Sequence, residues 1–314
     1  MATLVFGVGF IGAALAGELL LSGERVVGFD NGFSTDRRAI DQLVRHGSFT
    51  FVEGDVAEPA DVARCFGGEP IETAYLLAGQ ASADPTAAPP EYTERTNLVG
   101  PRVVLEALLA HGVPTLVFGS SLRVYGQPLP AVFDEGTPYG VQRDLSHLSK
   151  IYAEKLIEMH ADGGRLRAVS ARLAIVYGLS PVMKRDPRFM TVPNRFSWQA
   201  RRGEPMRVAP GAGALSLLHV ADAVSALTRC AELAEPGYAP INVLGEWMTV
   251  SELARVVHDE ALARGLDPRI EGAGPEVAIV PDGRSQLDDA GFRRQREVRS
   301  GVRELIDYFL ADVG

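Results

Sequence analysis

The amino-acid sequence predicts an α/β fold, in which helices cover both faces of a parallel, doubly wound sheet. Apolar segments of strand length alternate with segments of helix length through the first half of the chain. A glycine-rich turn separates the first predicted strand, residues 3–7, from a predicted helix over 13–21. The alternation loosens later, since stretches rich in proline and glycine occupy 203–213 and 236–245. We therefore expect a large sheet domain with a smaller C-terminal lobe.

The predicted elements place the domain boundary after residue 178. Residues 1–178 form the predicted sheet domain, and 179–314 form a mainly substrate-binding lobe, with the chain crossing back to the first domain around 215–235. The 314 residues are enough to bury a large core. Further predicted strands cover 25–30, 49–56, 74–79 and 115–121, and further predicted helices cover 93–111, 146–161, 220–233, 250–264 and 298–310.

Charge and composition exclude several classes of partner. The net charge is −9, and no basic stripe is available to displace counterions from a nucleic acid. Cys65 and Cys230 are the only cysteines, so we expect no metal and a reducing, cytoplasmic compartment. The apolar stretch from Leu4 to Leu21 has no basic region before it and contains Glu18. We interpret it as a strand and a helix, and expect no membrane association.

The glycine turn carries the clearest functional signal. Gly7, Gly9 and Gly12 form a GxGxxG pattern between a strand and a helix, and Asp30 ends the second strand. Gly7 permits the tight turn, Gly9 lets a pyrophosphate approach the backbone, and Gly12 lets the helix pack close to the sheet. Asp30 can accept hydrogen bonds from both ribose hydroxyls of an adenosine and would repel a 2′-phosphate. The pattern predicts a Rossmann-type site that prefers NAD to NADP.

Two later strand ends extend this predicted site. Asp55 follows the third strand, where its carboxylate can reach the adenine amino group. The small residues Ala78 and Gly79 follow the fourth strand and let the backbone of the cofactor pass. Because ligands bind at the carboxyl ends of parallel strands, these residues are expected to face one cleft.

Nine short motifs follow one another along the chain in an order typical of one family. They are GVGFIG (7–12), DNGFSTDRR (30–38), GDV (54–56), LLAGQAS (76–82), TNLVG (96–100), SSLRVYG (120–126), SKIYAEKL (149–156), PNRF (193–196) and HVAD (219–222). In this order they resemble the extended short-chain dehydrogenase/reductases, the group of NAD-dependent sugar epimerases and dehydratases. The resemblance spans essentially the whole chain, although the family's usual glycine turn is one residue longer.

The resemblance implies roles for individual residues. Ser121 would hydrogen-bond the reacting sugar oxygen, and Lys150 would hold the nicotinamide ribose. Asn194 would contact the substrate. The cofactor-binding residues that the turn, the strand ends and the resemblance predict together are Gly7, Gly9, Phe10, Ile11, Gly12, Asp30, Asn31, Asp55, Val56, Leu77, Ala78, Gly79, Asn97, Ser120 and Lys150.

The chain departs from the family at the catalytic base. The family pattern is YxxxK, and the position four residues before Lys150 is Ser146. A serine hydroxyl has too high a pKa to act as the general base. His147 has a suitable pKa but is turned about 100° from position 146 on a helix. Tyr139 can reach the site from the preceding loop. Both residues stay open as candidates for the base.

The substrate lobe departs from the family as well. Ile175 replaces the family's usual asparagine, and Leu215 replaces an arginine that grips a nucleotide diphosphate. Losing such charge-assisted contacts puts a nucleotide-linked substrate in doubt. Five arginines are close in sequence and can form a different anion site or simply a solvated face. They are Arg185, Arg188, Arg195, Arg201 and Arg202.

The leading hypothesis is an NAD-dependent enzyme of the epimerase/dehydratase type. It would act on a sugar or sugar-like substrate, with or without a linked nucleotide, by transient hydride abstraction with a non-standard base. One alternative is a family member without hydride chemistry, either a non-redox lyase or cyclase or a regulatory protein. A simple NADH-dependent ketoreductase is another. The resemblance also implies a homodimer through the helices over 93–111 and 146–161.

Overall fold

The computed structural model describes residues 1–82, 84, 86–211, 213–272 and 279–311. Its strands are β1 Ala2–Phe6, β2 Arg25–Asp30, β3 Phe49–Glu53, β4 Ile71–Leu76, β5 Thr115–Ser121, β6 Val132–Phe133, β7 Arg167–Leu173, β8 Ile175–Tyr177, β9 Pro205–Arg207, β10 Ala214–His219, β11 Gly237–Val243, β12 Glu246–Thr249, β13 Arg269–Glu271 and β14 Asp282–Gly283. Its α-helices are α1 Phe10–Leu21, α2 Arg37–Val44, α3 Pro59–Ala63, α4 Pro90–Glu94, α5 Gly100–Ala110, α6 Leu145–Ala161, α7 Val192–Arg202, α8 Val220–Glu232, α9 Val250–Leu262, α10 Gln286–Asp289 and α11 Val298–Ala311.

The large sheet confirms the predicted fold class. Seven parallel strands pair in the order β11-β7-β5-β4-β1-β2-β3, so the chain winds outward in both directions from β1 and β4. The central strands are almost wholly apolar because helices cover both of their faces. In β1, for example, Leu4, Val5 and Phe6 are fully buried. This doubly wound order brings the carboxyl ends of β1, β2, β4 and β5 to one edge.

Two apolar cores hold helices on the two faces of this sheet. One core packs side chains of α1, α2 and α8 against the sheet, and the other packs α3, α5 and α6. The predicted helix over 93–111 is interrupted. A π-helical segment, Arg95–Val99, joins α4 to α5. Pro101 has no backbone N–H to donate to the preceding turn, which favours a widened turn at this point.

A smaller lobe packs around a third core. Helices α7, α9 and α11 bury apolar side chains against one another and against β10. A three-stranded sheet, β12-β10-β8, connects this lobe to the large sheet. The chain returns to the first domain through α8, which contacts α1, and through β11, which forms the edge strand beside β7. The returning segment therefore extends to Val243. Among the residues that the structure describes, no helix is long and apolar enough to cross a membrane.

Candidate functional site

A cleft of about 620 Å³ lies between the large sheet and the smaller lobe. The carboxyl ends of the parallel strands form one wall, as the doubly wound order requires. Its size is typical of small-molecule sites. Residues that line it come from 7–12, 29–35, 77–82, 119–123, 147–150 and 173–176 of the sheet domain, and from 184–195 and 214–216 at the smaller lobe.

The glycine turn leaves space where a ligand would approach. Gly7 has a φ of +89°, and a Cβ there would lie 2.5 Å from the backbone nitrogen of Ala78. A Cβ on Gly12 would lie 1.9 Å from the carbonyl oxygen of Gly7. Both glycines are therefore required by the fold itself. Gly9 differs, because the nearest atom to a Cβ there is Lys184 Nζ at 3.6 Å. A side chain at Gly9 would project into the cleft.

Helix α1 presents its first backbone N–H groups at this turn. Gly9 is the N-cap residue, and no side chain of the described residues caps the helix. Uncapped N–H groups and the positive end of the helix dipole favour a bound anion. Together with the open position at Gly9, this arrangement fits the pyrophosphate of a dinucleotide such as NAD.

Asp30 and Lys184 form the far end of the cleft. Asp30 is buried and accepts a hydrogen bond from the Gly32 backbone N–H at 2.7 Å, and burial raises the pKa of its carboxyl. Lys184 reaches over from the smaller lobe and donates to Ser34 Oγ at 2.7 Å and to the Ser34 carbonyl at 2.9 Å. Burial lowers the pKa of Lys184, and the charge of Asp30 opposes that shift. Lys184 was missed by sequence reasoning, because nothing in its local sequence indicates that its loop folds back over the glycine turn.

Ser121, His147 and Lys150 line the same cleft, Ser121 from the end of β5 and the other two from α6. Ser121 ends β5, and Lys150 Nζ donates to the Gly119 carbonyl at 2.7 Å. Burial lowers the pKa of Lys150 to about 8, against the charge of Glu154 one turn further along α6. The sequence brings His147 and Lys150 to one side of α6 because they are three positions apart.

His147 is held by an aspartate. Asp144 caps α6 by accepting a hydrogen bond from the His147 backbone N–H at 2.9 Å, and its second oxygen lies 2.6 Å from His147 Nδ1. Burial lowers the pKa of the imidazole, the charges of Arg123 and Lys150 add to that effect, and Asp144 opposes it. A neutral ring with its proton on Nδ1 would donate to Asp144 and leave the Nε2 lone pair available.

The other two candidates for the base lie away from the cleft wall. Ser146 is buried in the body of the domain, and its carbonyl accepts a hydrogen bond from Ser149 Oγ at 2.7 Å. The Tyr139 hydroxyl donates to Glu154 Oε2 at 3.0 Å, inside a buried polar cluster. Burial and the Glu154 charge raise the pKa of Tyr139, which disfavours the phenolate that a base requires. Neither residue is among those that line the cleft.

The predicted cofactor residues also include some that line the cleft and some that do not. Thirteen of the fifteen line the cleft, while Asp55 and Asn97 lie behind its wall. Asp55 accepts hydrogen bonds from the Ala57 backbone N–H and from Arg95 Nε, each at 2.9 Å. Asn97 exchanges two hydrogen bonds of 2.8 Å with the backbone of Gln80 and so positions the loop after β4.

The substrate side of the cleft is lined by the smaller lobe. Asn194 is buried there, but its amide exchanges hydrogen bonds with the backbone of Gly178 at 3.0 and 3.1 Å. Of the five clustered arginines, Arg188 and Arg195 line the cleft. Arg188 is paired with Asp186 at 2.5 Å. No group of three or more residues that could hold a metal occurs in the described ranges.

A family model matches most of the chain. The model of the "NAD dependent epimerase/dehydratase family" matches residues 3–243, which include the large sheet apart from Ala2, the first residue of β1. The chain belongs to this family. The match ends at the last residue of β11 and so includes the returning strand.

Individual family members are similar at moderate identity. UDP-glucuronic acid decarboxylase 4 of Arabidopsis thaliana is 30% identical over 81% of this chain and 55% of its own length. UDP-glucose 4-epimerase of Bacillus subtilis (strain 168) is 28% identical over 58% of this chain and 54% of its own length. The chain therefore spans about half the length of the curated relatives that it matches. The solved structure of UDP-glucose 4-epimerase from Thermus thermophilus in complex with NAD is 26% identical over 100% of both chains, with a TM-score of 0.82.

Replacing Gly9 by alanine separates cofactor binding from folding. We expect G9A to retain the melting temperature of the wild type, since its Cβ meets no protein atom closer than 3.6 Å. Its NAD affinity should fall at least about tenfold, because the Cβ occupies the space through which the pyrophosphate approaches the backbone. Isothermal titration with NAD and a thermal melt measure the two effects.

Two further alanine variants serve as controls for this test. G12A should destabilise the protein, because its Cβ meets the Gly7 carbonyl. G17A should leave NAD affinity unchanged and raise the melting temperature slightly, because a Cβ there meets nothing within 4 Å and alanine favours the interior of α1. Unchanged NAD affinity in G9A would contradict the assignment of the turn.

Proposed function

We propose that the protein is an NAD-dependent enzyme of the epimerase/dehydratase type that acts on a nucleotide-linked sugar. The observation that carries this proposal is the arrangement of one cleft. Ser121, His147 and Lys150 line its catalytic end, and the glycine turn with Asp30 lines its other end. A dinucleotide bound along the strand ends would place its nicotinamide beside the three polar side chains.

The residues that would hold NAD fit that group. The N-terminus of α1 would bind the pyrophosphate, Asp30 the adenosine ribose, and Lys150 the nicotinamide ribose. The cofactor would supply a reversible acceptor for a hydride from a sugar carbon. Arg37 and Arg38 do not compete with this choice of cofactor, because both are exposed and paired, Arg37 with Glu53 and Arg38 with Asp36.

His147 is the proposed general base. Its lowered pKa keeps the ring neutral at pH 7, and Asp144 holds Nδ1, so that Nε2 can take the proton of the substrate hydroxyl. Ser121 would hydrogen-bond the same hydroxyl and orient it. The positive charge of Lys150 would favour the alkoxide character that develops there. In this proposal, His147 replaces the phenol that the family usually has at the position of Ser146.

The nucleotide-linked substrate is part of the proposal. The relatives whose names give a substrate act on UDP-sugars. Leu215 lies in the cleft where the resemblance predicts an arginine, but Arg188 and Arg195 line the same side of it. Two guanidinium groups can bind a diphosphate, which replaces the missing contact by another route.

A second candidate function is a family member without hydride chemistry. The observation that favours it is Ser146, since a buried serine in place of the phenol removes the family's usual base. A non-redox lyase or cyclase would still need His147 and Ser121, whereas a ketoreductase would consume NADH and release NAD. One experiment distinguishes these possibilities.

A single-turnover reaction tests the proposed function. When a nucleotide sugar is added to NAD-loaded protein, we expect a transient rise and fall of NADH absorbance in stopped flow. The H147Q variant should bind the same substrate but lower the rate of that rise by about 100-fold or more, as expected for loss of a general base. Product formation without any NADH signal would contradict the redox function.

The pH dependence of turnover provides a second test. His147 must be neutral to accept a proton, so activity should be lost as the pH falls through its pKa, which lies below 6.5. Lys150 must keep its proton, so activity should also be lost as the pH rises through about 8. A plot of kcat/KM against pH should therefore be bell-shaped. An acid limb that remains unchanged in the residual activity of H147Q would exclude His147 as the base.

We also propose a homodimer in the cytoplasm. Leu148, Tyr152 and Met159 form an exposed stripe along α6, with 51%, 41% and 73% of their surfaces accessible. The spacing of four and seven residues places them on one side of the helix. The buried, unpaired Cys65 and Cys230 are compatible with a reducing compartment.

The homodimer is tested by light scattering. The wild type should give twice the mass of one chain, and L148E/M159E should give a monomer. A monomeric wild type would contradict this assembly.

A further inference from the structure

Arg123 lies at the catalytic end of the cleft and has no role in the chemistry proposed above. It follows Ser121 by two residues, on a short 3₁₀ helix over Leu122–Tyr125. Its side chain is partly buried and lines the cleft together with Ser121, His147 and Lys150. In the part of the chain that the structure describes, its guanidinium makes no hydrogen bond and no ion pair within 4 Å. Asp144 acts on it through charge alone and is itself held by His147.

This lack of a partner distinguishes Arg123 from Arg188 on the same cleft. Arg188 has Asp186 and the Thr86 carbonyl as partners. A guanidinium that is partly removed from water without a partner is costly, and burial lowers the pKa of Arg123 accordingly. An anionic ligand would supply the missing hydrogen bonds. The structure therefore offers a preformed anion contact at the catalytic end.

The cleft as a whole carries an excess of positive charge, like Arg123 itself. Its described lining includes five cationic side chains, Arg123, Lys150, Lys184, Arg188 and Arg195, but only two carboxylates, Asp30 and Asp84. The chain as a whole has a net charge of −9, so this excess is local. A locally positive cleft attracts an anionic substrate.

The position of Arg123 indicates which part of the substrate is anionic. Arg188 and Arg195 belong to the smaller lobe, where the proposed function places the diphosphate. Arg123 belongs to the same short segment as Ser121, which would hold the reacting hydroxyl. A group that reaches Arg123 is therefore on the reacting sugar itself. The planar guanidinium matches a carboxylate, which can accept two parallel hydrogen bonds from it.

We propose that the substrate is a nucleotide-linked uronic acid and that Arg123 binds the carboxylate of its reacting ring. The identity of the ring rests on the proposed function, whereas the anion contact is a property of the cleft. A neutral sugar would offer the guanidinium only hydroxyl oxygens, which accept weaker hydrogen bonds than a carboxylate and leave its charge uncompensated, so it would bind less tightly. Arg123 is thus a residue that determines specificity. Arg123 takes no part in the proton transfer, which is the role proposed for His147.

Binding measurements with two matched compounds test this inference. UDP-glucuronate and UDP-glucose differ at one carboxylate, and each is titrated by calorimetry into the NAD-loaded wild type, R123Q, R123K and R229Q. We expect the wild type to bind the uronate about 10- to 100-fold more tightly, a size typical of charge-assisted hydrogen bonds. R123Q should lose this preference, and R123K should keep part of it. R229Q removes an exposed arginine of α8, paired with Glu232 and outside the cleft, and should behave as the wild type.

A kinetic measurement adds a readout that a merely structural role would not change. The charge of Arg123 lowers the pKa of His147, so the acid limb of the free-enzyme pH profile should move to higher pH in R123Q. A melting curve for each variant confirms that it is folded.

The outcomes separate this inference from the proposed function. Equal affinity of the wild type for the two compounds, or a preference that survives in R123Q, would overturn the carboxylate contact. NADH formation from UDP-glucose as fast as from UDP-glucuronate would overturn it too, while the redox function would stand. A uronate preference that R123Q abolishes, without any NADH signal, would support the contact and contradict the redox function. If the wild type bound neither compound, both would be contradicted.

Discussion

The buried carboxylate of Glu154 is the constraint on which the arrangement of the catalytic end depends. Glu154 is fully buried on α6, where it pairs with Arg172 of β7 at 2.7 Å and accepts hydrogen bonds from Ser120 of β5 and Tyr238 of β11. Three strands of the sheet are thereby attached to one helix through one charged group. Removing a single partner would leave a buried charge uncompensated, at a cost of about 3–5 kcal/mol. The cluster therefore fixes the position and rotation of α6.

Fixing α6 has a direct effect on the cleft, because Lys150 lies one turn before Glu154. With the helix held by the buried pair, Lys150 can extend across the strand end to the Gly119 carbonyl. His147, a further three residues back, then lies at the cleft as well, where Asp144 holds its ring. The same cluster uses the Tyr139 hydroxyl as a donor, which explains why that loop tyrosine is unavailable at the site. One buried group thus determines which side chains the substrate can meet.

The sequence is informative wherever backbone geometry alone demands a residue type. The need for glycine at positions 7 and 12 is predictable because the strand, turn and helix pack closely, and a Cβ at Gly7 or Gly12 would collide with backbone. The sequence is less informative where a side chain acts across elements distant in the chain. Lys184 lies 150 positions from Ser34, and no local pattern indicates their contact. The strand end predicts a cofactor contact for Asp55, but no local pattern indicates that its carboxylate accepts a hydrogen bond from Arg95, 40 positions away.

The substitution at Ser146 also becomes intelligible through the rotation of α6. A family phenol at position 146 depends on the neighbouring lysine to lower its pKa into a useful range, because free phenol titrates near pH 10. A histidine needs no such help, since its ordinary pKa is already close to neutrality. Moving the base by one residue requires that position 147 face the cleft, and the cap that Asp144 forms at the start of α6 secures this by binding the His147 backbone and ring together. In the proposed chemistry, Lys150 would act through its charge alone, and that charge also lowers the pKa of His147. The missing tyrosine is thus compatible with a working site, because the helix cap supplies the orientation that the phenol would otherwise provide.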